Sequence, residues 1–439
     1  MSLLNNIRKT INYAGRNGCR EAYYAAAERL GQIRGASYSY DAPLPAQLRA
    51  QRSEYAEWEA EQARAGGERL PLISILVPLY MPKEEYLRAM IESVLAQTFG
   101  NYEVVFADGS TDSAADAVIS SYKSEKFTYH MLGRNGGISY NTNAAAQFAR
   151  GDYVAFLDYD DMLTPDAVCR VSRVILESHP EIIYSDEDKC DAKGRKFFEP
   201  NIKPDFNRDY LLTNNYICHF LVMKRELFLA LGLRSDYDGA QDYDLMLRAP
   251  WSHIRHIPAV LYHWRTHSGS TAGNPASKNY AYEAGRRALE DYLRCGHIEA
   301  DVEDSRHRGF YRIVYHPDIF TQRGDVGVVG GRIVDRHHRV VGGMMREDGT
   351  LVYGGMHEME SGPMHRADTV QDAEAVDVRC MQIRDNLRDL YQTVFNSSYE
   401  NHVMKQDESL RAKSIEFCRL VRKMGYLVVY DPSITHQIR

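Results

Sequence analysis

Carboxylates follow directly after two apolar runs that are typical of buried strands. Asp108 follows the first run, and Asp158, Asp160 and Asp161 follow the second. Carboxylates that crowd together repel one another unless a cation lies between them. Oxygen ligands of this kind suit Mg²⁺ or Mn²⁺, whose coordination is commonly completed by substrate phosphates. The pattern predicts a cation site for a phosphate-bearing substrate, although the second group alone fits a helix-capping turn equally well.

A further acidic pair lies on a predicted helix at residues 239–248. Asp242 shares a helix face with Leu245, whereas Asp244 precedes Arg248 by four residues, the spacing of a solvent-side ion pair. We therefore expect Asp242 to point inward and Asp244 outward. An inward carboxylate early in a helix offsets the helix dipole, or it accepts a proton as a general base.

Alternating strands and helices precede and position Asp108 and the Asp158 group. The predicted strands cover residues 73–77, 103–107, 127–132 and 153–157. Strands that alternate with helices at this spacing predict an α/β fold with a doubly wound, mostly parallel sheet, and its ligands lie beyond the carboxyl ends of the strands. Neither GxGxxG nor GxxxxGK[ST] occurs, which excludes a dinucleotide fingerprint and a P-loop.

The motifs SILVPLY, ESVLAQTF, YEVVFADGSTD and GDYVAFLDYDD closely resemble those of the family 2 glycosyltransferases, which have the Rossmann-like GT-A fold. The resemblance covers residues 71–265 in the family's order and spacing. The motifs NGGISYNTNAA, YSDEDK, NYICHF, GAQDYDLMLR and LYHWR are similar to those of the branch that builds bacterial O-antigens and related surface polysaccharides, including rhamnosyltransferases.

The resemblance implies a site for a sugar nucleotide. Pro78 and Tyr80 resemble the residues that line the nucleoside pocket, and Asp108 resembles the carboxylate that accepts N3–H of uracil or thymine. Asp158 and Asp160 resemble the DxD pair, the first near the ribose and the second on the metal. The family therefore implies a UDP- or dTDP-sugar donor and Mn²⁺ or Mg²⁺.

The resemblance also assigns catalytic roles and shows departures from the family pattern. Asp242 matches the family's general base, although Gln241 replaces the usual Glu before it. His263 resembles the downstream histidine that contacts the metal or the diphosphate. Met81 replaces the common Asn, and Ala107 replaces the first Asp of Asp-Asp-Gly-Ser.

Three regions are expected: a helical extension at residues 1–70, the GT-A domain at 71–300 and a smaller α+β accessory region at 301–439. The last resembles a truncated second glycosyltransferase unit without a second DxD, retained for packing, homo-oligomer formation or acceptor binding. An apolar stripe on the first helix, which includes Leu4, Ile7 and Ile11, fits docking on the main domain or peripheral contact with a membrane.

Composition narrows the class of protein. The 439 residues carry 53 Lys plus Arg against 60 Asp plus Glu, a net charge of −7 that speaks against a nucleic-acid partner. The seven cysteines stand singly, as in reduced proteins, and no long apolar run occurs, so a cytoplasmic location is expected, with any membrane contact peripheral and at the inner face.

The sequence thus predicts a metal-dependent inverting transferase that acts on a glycan acceptor, lipid-linked or polymeric. A protein acceptor and a catalytically silent scaffold of a polysaccharide assembly complex are the alternatives.

Overall fold

The computed structural model describes residues 3–34, 38–65, 69–267, 279–399 and 408–438. Contacts divide the chain into two compact units. One unit contains Tyr38–Phe206 and Asn215–Leu289, and the other contains Met1–Ser37, Asn207–Asn214 and Glu290–Arg439. We call them the catalytic-type unit and the C-terminal unit. The region boundaries near residues 70 and 300 stay predictions.

Three helices open the chain: α1 (Leu3–Asn17), α2 (Cys19–Arg34) and α3 (Pro45–Ala65). Helix α3 packs within the catalytic-type unit, where Tyr55 lies edge-on to Phe99 with the ring centroids 4.7 Å apart. Thr98 also donates a hydrogen bond to Gln51 of this helix.

Helix α1 belongs to the C-terminal unit, where Tyr13 stacks on His307, and its Ile11 is exposed. The side chains of Leu4 and Ile7 lie outside the described residues. None of the helices described is long and apolar enough to cross a bilayer.

The catalytic-type unit is built on one large sheet. Its strands are β1 (Ile73–Leu79), β2 (Tyr102–Asp108), β3 (Phe127–Met131), β4 (Tyr153–Phe156), β5 (Met162–Leu163), β6 (Ile182–Cys190), β7 (Phe197–Asn201), β8 (Leu221–Lys224) and β9 (Ile254–Arg265). Their order is β3-β2-β1-β4-β8-β6-β9-β5, with β7 beside β6. Strands β1 to β4 run parallel, β8 joins them antiparallel, and β6 and β9 form a second parallel pair.

The helices of this part of the chain are α4 (Glu84–Leu95), α5 (Ala114–Ser121), α6 (Ile138–Phe148), α7 (Ala167–Ser178), α8 (Arg208–Leu211), α9 (Arg225–Leu231), α10 (Gln241–Arg248) and α11 (Asn279–Cys295). Helix α8 belongs to the other unit, and α11 runs from one unit into the other. Helix α4 shows why they form, because Leu87, Met90, Ile91 and Val94 recur at helical spacing and are all buried against the sheet. The expected GT-A-like α/β fold is confirmed.

Strand β1 continues through Pro78 to Leu79, whereas the sequence indicated that Pro78 ends it. Pairing of β1 with β4 stops at Leu76 opposite Phe156, so Pro78 faces no β4 residue. A proline is tolerated there because its missing N–H is not needed for a ladder bond on that side.

The C-terminal unit has its own sheets. Its strands are β10 (Ala300–Asp304), β11 (Tyr311–Tyr315), β12 (Val326–Val334), β13 (Val340–Gly342), β14 (Met344–Met345), β15 (Gln371–Asp372), β16 (Ala375–Val376), β17 (Met381–Ile383) and β18 (Leu427–Gln437), and its later helices are α12 (Ile319–Gln322), α13 (Arg388–Phe395) and α14 (Glu408–Lys423). Helix α8 adds Asp209, whose buried carboxylate pairs with Arg323 at 3.0 Å.

The pairing around β12 repeats the pairing around β6. Strand β12 pairs antiparallel with β13 and β17 and parallel with β18, as β6 does with β7, β8 and β9. Aligned on these registers, Asp188 and His263 of the first set correspond to Val334 and Gln437 of the second. The direction of strand pairing around β6 is therefore found again around β12, without an acid and a histidine at these two positions.

Candidate active site

The carboxyl ends of β1, β2 and β3 meet at one sheet edge. Leu79 stands opposite Asp108, which stands opposite Met131. Asp108 is fully buried; its Oδ1 accepts the N–H of Ser110 at 2.7 Å and its Oδ2 accepts the Tyr129 hydroxyl at 2.8 Å. A carboxylate has lone pairs for further donors, so these two hydrogen bonds do not exhaust the acceptor capacity of Asp108.

Tyr80 lies just beyond β1 and is half exposed. An exposed aromatic ring at the ligand edge of a parallel sheet is a suitable surface for stacking a base. Its assignment to the nucleoside pocket stays a prediction.

The turn after β4 carries three carboxylates whose oxygens lie within 4.8 Å of one another. Asp161 is buried, and its burial, together with the charges of Asp160 and Asp158, raises its pKa well above the usual value. It accepts hydrogen bonds from the Tyr262 hydroxyl at 2.5 Å and from the backbone N–H of Arg265 at 2.7 Å. Asp161 thus anchors the turn to β9, and Asp158 and Asp160, both only partly buried, are the carboxylates that can reach a cation.

The histidine beside these carboxylates is His267, whose Nε2 lies 2.7 Å from Asp160 Oδ2. The sequence had pointed to His263, but the structure does not bring it to the turn. Tyr262 faces the turn, and successive side chains of a strand point to opposite faces, so His263 lies on the other face of β9. There its Nδ1 lies 2.6 Å from Asp188 Oδ1, and its ring packs on Phe197.

Three further acids, Asp186, Glu187 and Asp188, lie buried in strand β6. Glu187 pairs with Lys203, and burial raises the pKa of this carboxyl to about 7. Asp186 contacts His256, and Asp188 accepts the Tyr38 hydroxyl as well as contacting His263. All three acids therefore have partners inside the fold.

Asp242 lies in the first turn of α10 and lines a pocket together with Pro78 and Asp158. Gln241, Cys218 and His219 line the same pocket. One Asp242 oxygen accepts its neighbour's N–H, that of Tyr243, at 2.9 Å. Cys218 is partly buried, and desolvation of its thiol, the Asp242 charge and a hydrogen bond to Asp242 raise its pKa. The carboxylate expected to act as a base and one of the two expected DxD carboxylates therefore border one cavity.

The expected orientation of Asp244 is wrong. Its side chain is 1% exposed and binds two guanidinium groups, those of Arg234 and Arg248. The spacing of Asp244 and Arg248 does produce an ion pair. Arg234, ten residues before Asp244, donates to the same carboxylate. Asp244 is a structural acid on the same helix as Asp242.

A second cluster of possible ligands, His307, His365 and Asp368, lies in the C-terminal unit. Its two imidazoles stack face to face with centroids 3.6 Å apart and planes 13° from parallel. Imidazole lone pairs lie in the ring plane, so two rings in nearly parallel planes cannot both aim a lone pair at one ion. Arg306 also donates to Asp368 and supplies the positive charge.

Sequence reasoning missed four residues of the site: Tyr262, Arg265, His267 and His219. Arg265 is buried, and its guanidinium donates to the backbone carbonyl of Asp160. The motifs LYHWR and NYICHF already contained three of the four, but no spacing rule shows which strand face each side chain occupies.

Part of the chain is similar in sequence to known proteins. Residues 74–232 match the model of the family described as glycosyl transferase family 2. An uncharacterized protein of Sinorhizobium fredii, y4gI, is 44% identical over 51% of this chain and 25% of its own length. The O-antigen biosynthesis protein RfbC of Myxococcus xanthus is 36% identical over 53% of this chain and 19% of its own length.

The chondroitin synthase of Pasteurella multocida is 30% identical over 46% of this chain and 22% of its own length. The chain thus spans at most about a quarter of these relatives. The structure of Staphylococcus aureus TarS residues 1–349 with UDP is 19% identical over 51% of this chain and 65% of that chain, with a TM-score of 0.40. The family match and the names of the relatives support a glycosyltransferase.

Proposed function

We propose that the protein is a metal-dependent inverting glycosyltransferase that moves a sugar from a UDP- or dTDP-sugar to a glycan acceptor in surface polysaccharide biosynthesis. The observation that carries the proposal is the shared pocket of Asp158 and Asp242 at the carboxyl end of β1 and β4. The names of two relatives, an O-antigen biosynthesis protein and a chondroitin synthase, support a polysaccharide product.

The residues present fit a divalent cation. Asp158 and Asp160 offer carboxylate oxygens close together, an oxygen set that suits Mg²⁺ or Mn²⁺, and His267 lies against Asp160. When bound, the ion would neutralise the diphosphate that leaves the sugar. Tyr262 and Arg265 fix the turn that carries both carboxylates.

The chain's own residues account for the transfer. The acceptor hydroxyl attacks the anomeric carbon, the bond from that carbon to the diphosphate oxygen breaks, and Asp242 takes the hydroxyl proton. A single displacement of this kind inverts the configuration at the anomeric carbon. Cys218 and the N–H of Tyr243 orient the Asp242 carboxylate for this step.

The test measures nucleotide release from UDP-, dTDP- and GDP-sugars with Mn²⁺, with chelator and with Asp242→Asn. Selective, metal-dependent release that the variant loses supports the proposal. Binding of UDP or dTDP without any release, with soluble glycans supplied as acceptors, would instead indicate a sugar-nucleotide-binding scaffold. Absence of nucleotide binding would refute the donor site.

A further inference from the structure

His219 borders the same pocket, and the proposed reaction assigns it no role. The pocket is formed by the ends of β1 and β4 together with His219, Asp158 and Asp242. Its position directly beside the Asp158 turn makes it the place where the group attached to the diphosphate would lie. A side chain there contacts the transferred sugar if it contacts the donor at all.

The ring of His219 lines the pocket and is held there by aromatic neighbours. It stacks on Tyr262 with centroids 4.9 Å apart and planes 17° from parallel, and it meets Trp264 edge-on at 5.6 Å. Within the described part of the chain, neither ring nitrogen has a hydrogen-bond partner. An imidazole that lines a pocket and has no protein hydrogen-bond partner is available to a bound ligand.

The backbone behind His219 is fixed as firmly as the ring. The Lys203 ammonium, whose side chain is 0% exposed, donates to the carbonyl oxygens of Ile217 and His219 and pairs with Glu187. Tyr262, on which the ring stacks, is itself bound to Asp161 of the carboxylate turn. His219 and the turn are therefore positioned by one continuous set of contacts.

The chemistry of the ring suits a hydroxyl. Burial lowers the pKa of His219 to about 4, even though the charges of Asp242 and Asp160 act in the opposite direction. A neutral imidazole has one donor and one acceptor nitrogen, which matches a sugar hydroxyl. The Asp158 and Asp242 carboxylates that also line the pocket are acceptors for further sugar hydroxyls.

We propose that His219 binds a hydroxyl of the donor sugar and thereby selects and orients the sugar that is transferred. This inference rests on the proposed glycosyltransferase function, because it names the residue that recognises the sugar part of the same donor.

The experiment compares wild type, His219→Phe, His219→Asn and His256→Phe. Phenylalanine keeps the aromatic stack on Tyr262 but removes both nitrogens, whereas asparagine restores a donor and an acceptor. His256 is the matched control, because it stacks on Tyr184 with nearly the same geometry, 4.8 Å and 17°, outside the pocket. Each protein is titrated calorimetrically with UDP or dTDP and with the matching UDP-GlcNAc, UDP-glucose, UDP-galactose and dTDP-rhamnose in the presence of Mn²⁺. Donor hydrolysis is measured in parallel.

We expect His219→Phe to bind the free nucleotide within twofold of wild type, yet to lose the affinity difference between nucleotide and sugar nucleotide. Its kcat/KM for donor hydrolysis should fall by about 10-fold to 100-fold, the effect of losing a buried hydrogen bond. His219→Asn should recover part of the loss, and His256→Phe should retain the affinity difference in whatever fraction remains folded.

Three results would overturn the inference. In the first, His219→Phe keeps both the affinity difference and the hydrolysis rate within threefold of wild type. In the second, His219→Phe loses as much affinity for the free nucleotide as for the sugar nucleotide, and in the third the sugar adds no affinity even in wild type. A wild type that binds no nucleotide would refute the proposed function itself, and with it the role of His219.

Discussion

Asp242→Asn and Asp244→Asn form a pair of substitutions on one helix that separates catalysis from stability. Asparagine keeps the shape of Asp242 and an oxygen for the Tyr243 N–H, but it cannot accept the acceptor's proton. Loss of a general base lowers turnover by about 10²-fold to 10⁴-fold, or about 3–5.5 kcal/mol in the activation free energy. We expect the melting temperature of Asp242→Asn to stay close to that of wild type.

Asp244→Asn should behave in the opposite way. It leaves Arg234 and Arg248 facing each other without their shared carboxylate. Breaking a buried pair costs about 3–5 kcal/mol, and the partial exposure of both guanidinium groups favours the lower value. A loss of about 3 kcal/mol lowers the melting temperature of a unit of this size by about 6–12 °C. Turnover per folded molecule should remain near wild type.

The assay is metal-dependent nucleotide release at saturating donor, normalised to folded protein, beside thermal unfolding followed by circular dichroism. Activity within threefold of wild type in Asp242→Asn would refute its assignment as the base. Equal losses of turnover in Asp242→Asn and Asp244→Asn, with both proteins folded, would also refute it. Such a result would mean that turnover depends on the integrity of helix α10 and not on the carboxylate that lines the pocket.

Four further predictions concern the donor site. Chelation should abolish turnover and Mn²⁺ should restore it, while Asp160→Asn should need more Mn²⁺ for half-maximal rate; turnover that survives chelation would contradict this. Tyr262→Phe removes the hydroxyl that binds Asp161, and calorimetry should show about a 10-fold to 100-fold loss of Mn²⁺ affinity. Asp108→Asn should weaken UDP binding by about tenfold, since a charge-assisted hydrogen bond becomes a neutral one; unchanged affinity would mean that the base does not reach this residue. The pKa of His219 is depressed from 6.5 to about 4, so its contribution to stability is present above pH 6.5 and is lost as the pH falls towards 4. His219→Phe should therefore lose less stability in acid than wild type, by about 3 kcal/mol at most. Urea unfolding at a series of pH values measures this difference.

The strand-end carboxylates could be predicted from the sequence because their positions depend on local patterns. Asp108 and Asp158 each follow a short apolar run, and parallel strands place such residues at one edge whatever the details of packing. The general position of Asp242 on a helix was predictable for the same reason. Functional residues at the ends of strands and helices can therefore be predicted from a single sequence.

The side-chain directions were not predictable. A one-residue shift in the phase of β9 exchanges Tyr262 and His263 between the two faces, and nothing local fixes that phase. The sequence suggests a surface position for Asp244 because Arg248 follows it by four residues. Arg234, its second partner, comes close only through tertiary folding. His219 belongs to a loop between elements, and its stacking on Tyr262 joins positions 43 residues apart.

Helix α8 limits how the protein can be cut by cloning or by a protease. A fragment that ends at Leu289 contains every residue of the pocket, and it looks like a natural expression unit from the sequence. Yet Asn207–Asn214 belongs to the other compact unit, and such a fragment would lose Arg323, the partner of the buried Asp209 carboxylate. An orphaned carboxylate of this kind costs several kcal/mol, about 3–5 by analogy with broken buried pairs. Cys218 and His219 follow that segment by only four and five residues. A truncated enzyme would therefore misrepresent the pocket, and activity lost on removing the C-terminal residues would not by itself show that they bind an acceptor.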